Sequence, residues 1–185
     1  MRQQSFLPGF NKQEFRFGGT LNQGRRKTAR PFSHRLPIHL TLKSSRAKGS
    51  WSLRAHSGRV ERLLKRYADL YNIHVYYHAN VGNHLHLLIK TRSRSYSVAR
   101  EQFQAFLRRF SGELAFQIMG AKKGDARGRF WDAIPFTRLI QWGSDFAGAK
   151  IYVFKNLFEA AGVWDRKKHP DWRIGSLKFE KPPPA

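Results

Sequence analysis

The segment from residue 73 to residue 90 constrains the fold most, because it has the pattern of a β-hairpin. Apolar and polar residues alternate over residues 73–78, and residues 84–90 belong to an apolar run that contains two histidines. Between them lies Asn80-Val81-Gly82-Asn83, which has the composition of a tight turn. We therefore expect two antiparallel strands, with His84 at the start of the second.

Further strands and helices are predicted on both sides of this hairpin. The order strand, helix, strand, strand, helix, strand, helix is satisfied by a central antiparallel sheet with helices packed on it. This is an α+β fold related to the ferredoxin-like plan. The other predicted elements are a strand over Ile38–Lys43, a helix over 58–71, a helix capped by Ser97 and running to Met119, short strands at 130–131 and 136–140, and a helix over 145–161 that ends at Gly162.

His84 and His86 are the first candidate functional residues. Side chains alternate between the two faces of a strand, so histidines separated by one residue point the same way. Their imidazoles can hold one divalent metal ion, while the leucines and isoleucine between and after them, Leu85, Leu87 and Ile89, bury the opposite face. Because such a short motif also arises by chance, a second feature has to agree with it.

The charge of the chain indicates a polyanionic partner. Lys and Arg total 35 against 12 acidic residues, which gives a formal net charge of +23. Nucleic acid is the first interpretation and a membrane surface the second. We expect no membrane association, because no apolar stretch has transmembrane length and no signal-peptide pattern opens the chain. A ribosomal protein can be equally basic, so charge alone does not separate an enzyme from a structural binder.

The absence of cysteine narrows the possible chemistry. With no cysteine in the sequence, disulfides, cysteine zinc sites and thiol nucleophiles are excluded. Any metal ion must then be held by histidine, carboxylate, amide or water. The same absence fits a cytoplasmic protein.

The last predicted helix supplies the second feature. Tyr152 and Asn156 are four residues apart and therefore share one helix face. Tyr152 is a candidate nucleophile and Asn156 a candidate third ligand beside the imidazoles. Spacing alone, however, favours a core tyrosine and a solvated surface asparagine. His39 lies on the polar side of the first predicted strand, where it either faces the same pocket or is a hydrogen-bonded sheet histidine.

These patterns occur together in a known family. The run Asn83-His84-Leu85-His86-Leu87-Leu88-Ile89 resembles the histidine–hydrophobic–histidine motif of the HUH single-strand nucleases. The spacing of Tyr152 and Asn156 resembles the matching helix of single-tyrosine transposases, and the chain is similar to the REP-associated tyrosine transposases of bacteria over residues 15–165. The family often has Met-Pro before the histidine pair, where this chain has Val81-Gly82, and Asn-Pro after the tyrosine, where this chain has Asn156-Leu157.

The resemblance implies an HUH nuclease fold and a metal-dependent nickase and strand transferase for single-stranded DNA. It implies that Tyr152 is the nucleophile of a 5′-phosphotyrosine intermediate. It further implies that His84, His86 and Asn156 hold Mg²⁺ or Mn²⁺, with Glu159 as the rival to Asn156. The implied substrate is a hairpin-forming repeat in the bacterial nucleoid.

Candidate DNA contacts lie at two places in the sequence. Arginine and lysine bind phosphates, and aromatic rings can stack on splayed bases. We expect Trp131, beside the second group, to belong to the core. The candidates are Arg25, Arg26, Lys27 and Arg30 in a basic arm, and Arg127 and Arg129 before the last strands.

The predicted domain organisation is a basic arm over residues 1–36, one catalytic domain over 37–165 and a tail over 166–185. In related transposases a homodimer can place the tyrosine helix of one subunit in the site of the other, and the linker over residues 141–144 permits either arrangement. The alternative from another class is a non-catalytic RNA- or DNA-binding protein whose histidines are simply buried.

Overall fold

The computed structural model describes residues 15–22, 28–120 and 128–163. These residues form a five-stranded sheet and three α-helices, together with two short 3₁₀ helices at Gly19–Asn22 and Gly49–Trp51. The strands are β1 (Arg16–Phe17), β2 (Ile38–Lys43), β3 (Ile73–Asn80), β4 (His84–Thr91) and β5 (Phe136–Leu139). The helices are α1 (Ser57–Leu70), α2 (Tyr96–Met119) and α3 (Ser144–Ala160).

The sheet is antiparallel throughout, with the strand order β1-β5-β2-β4-β3. The succession β2-α1-β3-β4-α2-β5 has the βαββαβ order of the ferredoxin-like plan. The predicted α+β class, with a central antiparallel sheet and helices packed on it, is confirmed.

The two faces of the sheet are covered by different helices. On one face, Leu40 of β2 and Leu87 of β4 belong to the main core, which they share with buried residues of α1 and α2 such as Leu64 and Phe106. On the other face, a smaller cluster joins Leu88 of β4 to residues of α3. Because side chains alternate along a strand, His39 and His86 lie on the face that α3 occupies.

Two of the predicted elements are wrong in detail. Phe130 and Trp131 form no strand: Phe130 is buried in the main core, and the Trp131 indole donates a hydrogen bond to the Ser111 carbonyl at 2.9 Å. Ser97 does not cap α2, which already begins at Tyr96 with Ser95 in the N-cap position. In addition, β1 forms within the predicted basic arm, where no strand was expected.

The helices that the structure describes do not include a membrane span. Across residues 15–22, 28–120 and 128–163, none combines the length and the apolar character that crossing a bilayer requires.

Candidate active site

The hairpin of β3 and β4 positions His84 and His86. Opposite them in the register on β2 lie Lys43 and Thr41, respectively. The turn before His84 is closed by a hydrogen bond from the Val81 amide to the His84 carbonyl at 3.0 Å. Gly82 in this turn has a φ of 97°, which proline cannot adopt because its ring fixes φ near −65°. The turn at Val81-Gly82, where the HUH proteins that the chain resembles often have Met-Pro, therefore has a backbone conformation that a proline at position 82 could not form.

Helix α3 brings Tyr152 to the histidines. The Tyr152 ring centroid lies 5.3 Å from that of His86 and 5.5 Å from that of His39, in both cases edge to face. The His84 and His86 rings are 4.7 Å apart. Tyr152 is 41% exposed, whereas the next residue, Val153, is buried against the sheet. All these residues belong to one chain, and the tyrosine stays accessible to a substrate.

Hydrogen bonds define the roles of the imidazole nitrogens. Nδ1 of His84 lies 2.6 Å from the amide oxygen of Asn83. That oxygen can only accept, so Nδ1 carries the proton and Nε2 carries the lone pair. Nδ1 of His86 lies 3.2 Å from Nε2 of His39 and 3.2 Å from the Thr41 hydroxyl. Nε2 of His86 is buried and has no hydrogen-bond partner in the described part of the chain.

The three histidines are neutral near pH 7. Burial, reinforced by the positive charge of Arg138, lowers the pKa of His39 to about 4. Burial also lowers the pKa of His86 to about 3, with smaller contributions from His39 and His84. The pKa of His84 is lowered by burial and by Lys43, and the carboxylate of Glu159 opposes this shift. Neutral imidazole is the form that binds metal ions.

Both candidates for the third ligand lie on α3, four and seven residues after Tyr152. Asn156 is only 7% exposed, and its amide nitrogen donates to the Tyr152 carbonyl at 2.7 Å, which leaves the oxygen as the ligating atom of the amide. Glu159 is exposed, and its charge reaches His84 electrostatically. The geometry leaves the choice between them open.

The donor set is compatible with a divalent ion. Within the described ranges, no three side chains of His, Cys, Asp or Glu converge so as to hold a metal ion. The expected set, however, contains two histidines and an amide. Its strongest feature is the buried, unpartnered Nε2 of His86, because a histidine ligand normally hydrogen-bonds through its other nitrogen and coordinates through the free one.

The predicted DNA contacts are only partly within the described residues. Arg25, Arg26, Lys27 and Arg127 lie outside them. Arg129 is exposed. The Arg30 guanidinium donates to the Pro135 carbonyl at 2.9 Å and to the Thr137 hydroxyl at 2.5 Å, and lies over the Phe17 ring. Arg30 therefore holds the edge formed by β1 and β5 together.

Sequence reasoning missed three polar neighbours of the site. Lys43 lies beside His84, Thr41 beside His86, and Arg138 of β5 beside His39. Arg138 also forms a 2.8 Å ion pair with Asp145 at the start of α3. Alternation along β2 and β5 assigns all three to the face of the histidines, but only the strand register shows that they adjoin them. The same register pairs His78 with Leu87, so His78 is not at the site.

Comparison with known proteins assigns no family: no protein-family model matches the chain, and no curated protein shows significant similarity to it. The site geometry and the resemblance of its two motifs therefore carry the functional interpretation.

Proposed function

We propose that the protein is a metal-dependent single-strand DNA nickase and strand transferase, a transposase of the single-tyrosine HUH type. The observation that carries this proposal is the position of an accessible tyrosine against neutral imidazoles: the ring of Tyr152 lies 5.3 Å from that of His86, which is 4.7 Å from that of His84. Tyr152 can attack a phosphate that is oriented by an ion on His84 and His86 only if its ring lies next to theirs.

The proposed reaction exchanges one phosphoester for another. The Tyr152 oxygen attacks the phosphorus and the phenol gives up its proton. The bond from phosphorus to the 3′ oxygen breaks, and that oxygen takes up one proton to become a free 3′-hydroxyl, so that no proton is gained or lost overall. The 5′ end stays bound to the protein as a phosphotyrosine. Because the phosphotyrosine retains the phosphoester bond, attack by a 3′-hydroxyl can rejoin the strand without ATP.

His84 and His86, together with Asn156, would hold the divalent ion through Nε2 and the amide oxygen. When bound, that ion draws charge from the non-bridging phosphate oxygens and orients the phosphate. Imidazole ligands suit Mn²⁺ better than Mg²⁺, which prefers oxygen. Lys43 adds positive charge beside His84, where an anionic backbone would pass.

The proposed substrate is single-stranded DNA that carries a hairpin, in the bacterial nucleoid. The net charge of +23 supports a polyanionic partner, and the motif resemblance supports the hairpin. Since Tyr152 lies against the histidines of its own chain, the proposed chemistry does not depend on a homodimer.

The decisive experiment is a covalent-adduct assay. A 5′-labelled and a 3′-labelled hairpin oligonucleotide are incubated with the wild type, Tyr152→Phe and His86→Ala, with and without Mn²⁺, and analysed on denaturing gels. In the presence of Mn²⁺ we expect a protein–DNA adduct on the 5′ end of the cleaved strand with the wild type and with Tyr96→Phe, and none with Tyr152→Phe or His86→Ala. Tyr96→Phe is the matched control, because Tyr96 is also exposed but contacts Phe32 and His34 instead. An adduct formed by Tyr152→Phe would overturn the assignment of the nucleophile.

A non-catalytic nucleic-acid binder is the second candidate. It is supported by the high positive charge, which a structural binder of nucleic acid shares with an enzyme. Such a protein would bind the oligonucleotide, form no adduct and take up no stoichiometric Mn²⁺.

A further inference from the structure

We propose that His39 and Thr41 are positioning residues that fix the tautomer of His86, with the proton on Nδ1 and the lone pair on Nε2. The role of this tautomer in catalysis rests on the proposed function, but the tautomer itself is a property of the metal-free protein.

The geometry gives Nδ1 of His86 two partners. Thr41 lies directly opposite His86 on β2, and its hydroxyl is 3.2 Å from Nδ1. His39 lies two residues earlier on the same face, and its Nε2 is also 3.2 Å from Nδ1. The two imidazole rings are nearly parallel, at 16° and 5.3 Å between centroids. His39 is 7% exposed and His86 is 3% exposed, so water does not compete freely for these contacts.

Hydrogen bonding then decides where the proton resides. A neutral imidazole carries one N–H and one lone pair. On Nε2, the proton would be buried without an acceptor, because that atom has no partner among the described residues. On Nδ1, it can be donated to Nε2 of His39 or to the Thr41 oxygen. Nδ1 keeps a partner in either tautomer, because the Thr41 hydroxyl and Nε2 of His39 can each donate or accept. The Nδ1–H form is favoured because it leaves a lone pair on Nε2 rather than a buried N–H without an acceptor.

The consequence is a ligand prepared before any ion arrives. Free neutral imidazole prefers the opposite tautomer, which places the proton on the nitrogen that would have to coordinate. His39 and Thr41 reverse this preference for His86, and the hydrogen bond that Nδ1 of His84 donates to the Asn83 amide oxygen acts in the same sense on His84. The chain therefore presents two Nε2 lone pairs on one face of β4.

NMR of the imidazole nitrogens reports the tautomer of each histidine, and it tests the proposal without an activity assay and without a metal ion. Protein labelled with ¹⁵N-histidine is studied by long-range ¹H–¹⁵N correlation at pH 7.5, and His86→Gln assigns the signals. We expect a protonated Nδ1 and an unprotonated Nε2 for His86 in the wild type. The variant His39→Phe/Thr41→Val should shift His86 towards the Nε2–H form. The control His78→Phe, an exposed histidine away from the site, should leave His86 unchanged.

Thr41→Val alone preserves shape and serves if the double variant does not fold: it should move the His86 signals part of the way. A wild-type His86 with a protonated Nε2 would overturn the proposal, and so would a tautomer that neither variant changes. A Mn²⁺ titration by calorimetry is the second readout, with an affinity loss of about 10–100-fold expected for the double variant. If the wild type has the expected tautomer but binds no Mn²⁺, the proposed function fails and the positioning role stands.

Discussion

At the scale of single residues, the exposures of Tyr152 and Asn156 are the opposite of those that their spacing alone would suggest. The spacing favours a core tyrosine and a solvated asparagine. The structure has the reverse, with Tyr152 41% exposed and Asn156 7% exposed. The burial of Asn156 is offset in part by the hydrogen bond that its amide nitrogen donates to the Tyr152 carbonyl. An accessible phenol beside a buried amide is the arrangement that the proposed function requires of these two residues.

The identity of the third ligand can be tested by substitution of Asn156 and Glu159. We expect Asn156→Leu to weaken Mn²⁺ binding at least about 10-fold, because the amide oxygen is the ligand that we assign. Glu159→Gln should change the affinity by less than about 3-fold, since it only removes a screened surface charge. Calorimetric titration of both variants measures this. A larger loss of Mn²⁺ affinity in Glu159→Gln than in Asn156→Leu would identify the Glu159 carboxylate as the third ligand.

Stability should fall on acidification because His39 and His86 are buried as neutral rings. Their pKa values are lowered to about 4 and about 3, whereas the unfolded chain takes up these protons near pH 6.5. The unfolded state therefore binds more protons between these limits, and the free energy of unfolding decreases as the pH falls below 6.5.

Each histidine contributes up to about 1.4 kcal/mol per pH unit in that window. Urea unfolding at pH 7.5 and pH 5 should show the loss, and His39→Phe should reduce it. Equal stability of the wild type at the two pH values would contradict the expected burial of both rings.

At the scale of elements, local pattern predicted well wherever one strand or helix buries one face. Strand β2 has the predicted bounds, and α2 ends at Met119, as its pattern predicts, with Phe103 and Phe110 buried in the core. The predicted strand at Phe130 and Trp131 failed because two apolar residues have no period. Phe130 is buried in the main core and Trp131 packs against it, but neither pairs with a strand. The Ser44 hydroxyl donates to the Phe130 carbonyl at 2.5 Å.

The turn before β4 gives a prediction about Gly82. Gly82→Pro should lower the free energy of unfolding by more than about 2 kcal/mol, because φ is 97° and the Gly82 amide donates to the Asn80 side chain at 3.1 Å. Gly112→Ala is the control: a Cβ there meets nothing within 4 Å, so this helical substitution should be neutral or stabilising by up to about 1 kcal/mol. Urea unfolding compares the two variants. A Gly82→Pro protein as stable as the wild type would show that the turn can adopt a conformation that accepts proline.

At the scale of the whole molecule, the sheet separates a structural face from a candidate functional face. Helices α1 and α2 share the main core on one side. Helix α3 packs on β3 and β4 on the other side, and Tyr152 on this helix reaches the histidines of β2 and β4. The proposed function requires the nucleic acid to approach on the side of α3.

Salt dependence can show which face binds DNA. Binding of single-stranded oligonucleotide to Tyr152→Phe is measured by fluorescence anisotropy between 50 and 300 mM salt. The logarithm of the affinity should fall linearly with the logarithm of the salt concentration, with a slope of about −0.7 for each phosphate neutralised. Lys43→Ala should reduce this slope by about that amount. Lys65→Ala, an exposed lysine of α1 on the opposite side, should leave it unchanged. A larger effect at Lys65 would move the interface to the other face.

The sequence by itself determined which residues share a face, because strand and helix periods are local properties of the chain. It thus gave the hairpin, put His84 and His86 on one side of β4, and put Tyr152 and Asn156 on one side of α3. The tertiary structure decided which of these faces meet. Strand pairing placed Thr41 and His39 against Nδ1 of His86, and docking of α3 brought Tyr152 within 5.3 Å of that ring. These are contacts between distant segments, and they are selected by packing of the whole core, on which a local pattern carries no information.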